Sequence, residues 1–127
     1  MPDLDQARSL ISMARKDLKA IEILSTAEGA DDEIVGYHAQ QAVEKATKAW
    51  LCLLDVEYPW THDLRALMAS LEQAGAELPT NADTLIDLTD FAVQYRYEAM
   101  MVDESIDRKE TLSAVRSFVD LVAARIP

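Results

Sequence analysis

Apolar residues recur at steps of three and four along the first segment of the chain, at Leu4, Ala7, Leu10, Ile11, Ala14, Leu18, Ile21 and Leu24. Only a helix returns residues of that spacing to one face, and this run is long enough for about six turns. No segment alternates with the period of two that a half-buried strand requires. The chain carries three Gly and four Pro in 127 residues, so turn signals are sparse and the elements between them are long. Half of the residues are hydrophobic, enough for a real core, and the length fits one domain over residues 1–127.

The boundaries follow from capping chemistry. Asp3 and Gln6 have the spacing of a capping box and open the first helix, with Arg8, Arg15, Lys16 and Lys19 off the stripe and solvated. Glu28–Asp32 forms a turn and offers an acidic N-cap. A second helix is predicted from Asp32 to Asp55, with Val35, Ala39, Ala42, Ala46, Ala49, Trp50, Leu53 and Leu54 on its apolar side. Its alanines permit close approach of a neighbour. Thr61-His-Asp-Leu64 opens a shorter third helix that Gly75 stops. A fourth is predicted after Pro79 and Thr80, carrying Leu85, Leu88, Ala92, Tyr95 and Ala99. Residues 102–107 read as a loop, and Asp107 with Glu110 caps a last helix bearing Leu112, Val115, Val119 and Val122. The expected fold is all-α, an up-down bundle of about five helices around a four-helix core.

Bulk chemistry narrows the function classes. The single cysteine, Cys52, excludes an internal disulfide and a multi-cysteine zinc site, and two histidines argue against a dedicated metal centre. Cys52 lies in an apolar run and is expected to be a buried thiol without a redox role. No apolar stretch approaches the length of a membrane span, and no basic-then-apolar leader is visible, so the cytoplasm is the expected compartment. A net charge of −11 opposes non-specific binding to nucleic acid, which depends on neutralising cations.

The concentrated signal is His38-Ala-Gln-Gln-Ala-Val-Glu-Lys45. On a helix, His38, Gln41, Lys45 and Lys48 fall within an arc of about 80°, flanked by Gln40, Glu44 and Trp50. Such a row can hydrogen-bond a polar ligand or a partner carboxylate; by chemistry alone the favoured reading is a partly exposed polar face with His38 held by a neighbouring helix.

The stretch from 38 to 49, followed by Thr61-His62-Asp63-Leu64, resembles the HEPN domain (higher eukaryotes and prokaryotes nucleotide-binding). Ala14–Ala20 and Tyr95-Arg96-Tyr97 agree with it, so the resemblance runs through nearly the whole chain. It implies a HEPN-like helical bundle that forms homodimers. It also implies a minimal nucleotidyltransferase as partner in a toxin–antitoxin-like pair, and a nucleotide as ligand. Under the resemblance His38, Gln41, Glu44, Lys45, Lys48, Tyr95, Arg96 and Tyr97 are the candidate ligand- or partner-binding residues, with no cofactor and no metal.

Nuclease members of the family place a histidine after an arginine with four to six residues between them. That pair can move a proton near neutral pH and stabilise charge growing on phosphate. After Arg96 the corresponding residues are Met101, Val102 and Asp103, and no histidine follows His62 anywhere. An aspartate there titrates near 4 and repels phosphate. No group pairs with His38 or His62 in the sequence; Thr61 and Asp63 read as caps with His62 exposed beside them. Tyr95-Arg96-Tyr97 serves either packing and an ion pair or base stacking and phosphate contact. Met100, Met101 and the tryptophans read as core or interface filler. The expectation is a non-catalytic HEPN protein. Its rivals are a ribonuclease using Arg96 without the usual histidine and a self-assembling helical module.

Overall fold

The computed structural model describes residues 1–92 and 106–127. Among these residues every regular element is helical: α1 Leu4–Ser25, α2 Asp32–Leu53, α3 Leu64–Gln73, α4 Ala82–Ile86 and α5 Arg108–Ala123. The predicted fourth helix is interrupted. Residues 87 and 88 form a turn, and helix resumes over 89–92. Leu85, Leu88 and Ala92 are buried as expected, while Tyr95 and Ala99 lie outside the described residues. Of the described helices none is long and apolar enough to cross a membrane.

Side-chain capping starts three of the helices. Asp3, Asp63 and Asp107 accept from the backbone N–H of Gln6, Arg65 and Glu110 respectively. The first capping box is only half made, because the Gln6 amide donates to the Tyr58 hydroxyl at 2.9 Å instead of turning back. Two helices end alike. After α2, Val56 N–H donates to Leu51 O and Asp55 N–H to Cys52 O, with Asp55 in the left-handed region at φ 58°. After α3, Ala76 and Gly75 repeat the pattern onto Leu71 and Glu72, with Gly75 at φ 92°. Both are Schellman closures, which satisfy the last carbonyls and reverse the chain. The predicted end of α2 at Asp55 is therefore two residues too long. Leu54 leaves the apolar stripe as the cap residue and is 37% exposed.

The order of ion pairs gives the helix directions. Arg15 meets Asp120, Arg116 meets Glu22 and Arg8 reaches Pro127 O, so α5 runs antiparallel to α1. Asp32 meets Arg108 while Trp50 lies 6.3 Å from Phe118, so α5 runs parallel to α2. The exposed pairs set register and contribute little stability. α2 sits centrally against α1, α3 and α5. Its alanines 39, 42, 46 and 49 are completely buried, and so are Val35, Val43 and Leu51. Small side chains on several faces let three neighbours approach at once. Gly36 is the tightest point, since a Cβ there would lie 2.3 Å from the buried ring of Phe91.

Arg108 joins the ends of three elements. Its Nε donates to Asp32 at 2.7 Å and Nη1 donates to the carbonyls of Leu24 and Ala27 at 3.0 and 3.1 Å, while Nη2 donates to Ala30 O. The guanidinium fork thus serves the α1–α2 turn, the N-terminus of α2 and the start of α5 together. Asp31, the N-cap of α2, makes no side-chain cap bond, and Asp32 carries the charge contact instead.

Arg108→Ala should cost about 2–4 kcal/mol, because it removes the charge partner of a half-buried Asp32 and the donor to Ala30 O, while Leu24 O and Ala27 O keep backbone donors. Urea melts give the measurement. Gly36→Ala gains about 1 kcal/mol of helix propensity but drives a methyl into Phe91 at an overpacking cost of about 1–3 kcal/mol. A net loss of stability is expected in the same melts.

Candidate functional site

A helix buried around most of its circumference has little water to offer its polar side chains, and α2 carries several. Gln40 and Thr47 are fully buried and Glu44 is 4% exposed. Thr47 satisfies itself by donating to Val43 O at 2.7 Å. The others look outward from α2 over a fan of about 160°, ordered His38, Lys45, Gln41, Lys48, Glu44, Gln40 by helical angle. The two ends of that fan meet different neighbours.

At one end lies Asp17 of α1. His38 Nδ1 sits 2.9 Å from Asp17 Oδ1, and Lys45 Nζ donates to Oδ2 at 2.6 Å. Both carboxylate oxygens are occupied, and the pairing ties α1 to α2 halfway along their length. At the other end Glu44 collects three donors. Gln40 Nε2 donates at 2.9 Å and Lys48 Nζ at 3.0 Å, and His62 Nδ1 lies 2.8 Å away. Gln40 also donates to the backbone carbonyl of His62 at 3.1 Å, so ring and main chain of that residue are both held. Gln41 joins the second cluster by donating to Gln40 Oε1 at 2.7 Å.

Burial by itself would raise the pKa of Glu44. The hydrogen bonds from Gln40, Lys48 and His62, with the charge of Lys48, outweigh it and leave the carboxyl below its ordinary 4.5. An ionised carboxylate only accepts, so His62 presents Nδ1–H to it and keeps Nε2 for other partners. The imidazole side chain is 42% exposed. Lys48 also lies over the ring of Tyr58, 5.4 Å from its centroid.

The polar row is therefore brought together, but as an internal network and not as one open face. His38 and Lys45 face Asp17, while Lys48 faces Glu44 and Gln41 meets Gln40. Sequence reasoning missed Asp17, Gln40 and His62 as members. It allowed that a neighbouring helix holds His38, as Asp17 of α1 does, but named no paired group for either histidine, whereas each has a carboxylate. His62 is not simply exposed beside a cap: its ring is seated on Glu44, while Thr61 and Asp63 do cap, accepting from Asp63 N–H and Arg65 N–H. Asp17 had a signal available: it stands three residues after Ala14 and four before Ile21, inside the apolar band, where an acid needs a partner. Tyr95, Arg96 and Tyr97, with Met100 and Met101, lie outside the described residues.

Burial raises the Cys52 thiol, with a further push from Asp3, so the thiol is a poor nucleophile as expected. Among the described residues no three His, Cys, Asp or Glu side chains gather in a group that could hold a metal ion. What the arrangement can do chemically is hold charge in fixed places and present one oriented imidazole.

With this geometry in place, comparison with known proteins adds one result. The family model for the HEPN domain matches residues 7–125. No curated protein and no solved structure matches the chain.

Glu44 contributes its full stabilisation above pH 4.5 and loses it as the pH falls through its depressed folded value. Glu44→Gln should therefore melt below the wild type at neutral pH, by about 1–3 kcal/mol, with the gap closing as the pH drops below that point. Thermal melts across pH 3 to 7, taken at intervals of about 0.5, check the convergence.

Proposed function

The chain belongs to the HEPN domain family, and from that premise we propose that it is a non-catalytic member acting in complex with a minimal nucleotidyltransferase. In this reading the pair is toxin–antitoxin-like, the HEPN chain acts as a homodimer in the cytoplasm, and it contributes nucleotide binding. The observation that carries the non-catalytic part is the closure of the polar row. Asp17 and Glu44 take up both histidines and both lysines of the motif, leaving that row bound to its own fold. The sequence adds that no histidine follows Arg96 with four to six residues between. For nucleotide contact Arg96 with Tyr95 and Tyr97 supplies a guanidinium for phosphate and rings for a base.

One observation favours the ribonuclease reading as a second choice. Glu44 orients His62 through Nδ1 and leaves Nε2 toward solvent, the way a carboxylate prepares an imidazole for proton transfer. An Arg96–His62 pairing would supply the two roles the usual motif supplies.

Purified chain incubated with single-stranded RNA is expected to leave it intact, with wild type, Arg96→Ala and His62→Ala indistinguishable on a gel. Cleavage by the wild type that both substitutions remove would establish the second reading in place of the first. Mixed at micromolar concentration with a nucleotidyltransferase encoded beside it, the chain is expected to co-elute as one complex. Separate peaks would remove the partner from the proposal.

A further inference from the structure

Where α2 ends and the chain turns toward α3, a cleft of about 530 Å³ opens against the start of α1. Val56, Tyr58 and Trp60 supply its apolar lining, and Asp3, Asp55 and Glu57 its charge. Trp60 is the outstanding member: its relative exposure is 102%, while Trp50 is buried at 3%. A fully exposed indole is the side chain that gains most from a partner, and tryptophan is over-represented among the anchors of interfaces.

Charge identifies the partner. From residue 57 to residue 92 the chain carries Glu57, Asp63, Glu72, Glu77, Asp83, Asp87 and Asp90 against a single cation, Arg65. All seven carboxylates are exposed, and among the described residues none forms an ion pair. Within the cleft Asp3 caps α1 and Asp55 meets the Met1 ammonium at 3.2 Å, so Glu57 is the carboxylate left open to a visitor. The aromatic rings repeat the pattern. Lys48 lies over Tyr58 at 5.4 Å and Arg125 over Trp50 at 4.8 Å, whereas among the described residues no cation covers Trp60. A second copy of this chain brings another −11 to the same acidic rim, and phosphate backbones and anionic lipid surfaces are repelled by it.

We infer that the Trp60 cleft is a docking site for a Lys- or Arg-bearing segment of a partner protein, with a cation held over the Trp60 indole and paired to Glu57. Cation–π contact and the open carboxylate act on the same positive group, and the surrounding unpaired acids steer it in.

The test uses a fluorescein-labelled Arg-Ala-Arg-Ala-Arg peptide, followed by anisotropy at about 0.15 M salt, where distant charges are screened. The full chain is expected to bind. Trp60→Ala should weaken binding about tenfold and Glu57→Gln about threefold. Glu72→Gln, which removes an exposed acid from α3 outside the cleft, should leave it unchanged. Trp60 contacts so little of the fold that Trp60→Ala should keep the wild-type melting temperature. Three results overturn the inference: no binding, equal binding by wild type and Trp60→Ala, or equal losses from Glu57→Gln and Glu72→Gln, which would mean charge attraction without a site. None of these depends on the transferase, so the two readings fail separately.

Discussion

The position of α2 governs the rest of the molecule. Three helices pack on it, and its small residues allow them to come close. A helix so enclosed cannot leave a glutamate or a glutamine without partners, because an unpaired polar group away from water costs more than a hydrogen bond returns. Asp17 on α1 and His62 before α3 answer that demand from opposite sides. The same groups that would mark a binding face on a surface helix here set the rotation of α2 against its neighbours. Buried ion pairs of this sort add modest net stability and are exacting about geometry. Their role is to choose one arrangement of helices that apolar packing alone would leave less defined.

That role bears on what the domain can offer a ligand. Lys45 and Lys48 are committed to interior carboxylates, Arg108 to the turn it holds, and Arg8, Arg15 and Arg116 to surface pairs. Among the described residues Lys16, Lys19, Arg65 and Lys109 remain exposed and outside these ion pairs, on a chain of net −11. A phosphate-bearing ligand would have these few groups to draw on among the described residues. The acidic stretch from 57 to 92 looks the other way, toward cationic partners.

Much of the architecture was legible because it rests on local rules. The spacing of Leu4 to Leu24 gave the first helix within a residue of its observed start, and Asp3, Asp63 and Asp107 announced their caps through the chemistry of a carboxylate and a free N–H. The interruption at 87–88 was not legible, since Leu85, Leu88 and Ala92 keep helical spacing through it. Nor was the α2 terminus: Asp55 is a non-glycine residue in the left-handed region, and nothing but the backbone reveals it. The site divides the same way. The motif residues of α2 were found as a group because they share a helix. Their partners were not, because Asp17 and His62 lie 21 and 18 residues from His38 and Glu44, and tertiary pairing leaves no periodic trace. The family assignment rested on the motif and survived that gap, since it required the residues and not their bonds.

Arg108 makes contacts of long range, reaching Asp32 across 76 positions and Leu24 across 84. A bond of that reach contributes nothing until most of the chain between has already been brought close, because the entropy of closing so large a loop comes first. The α1–α2 hairpin, by contrast, needs only a six-residue connection, 26–31, to bring Asp17 against His38. Folding of this domain thus has a natural order, hairpin first and α5 last. The guanidinium then works as a latch: it governs how long the assembled bundle stays shut more than how quickly it assembles.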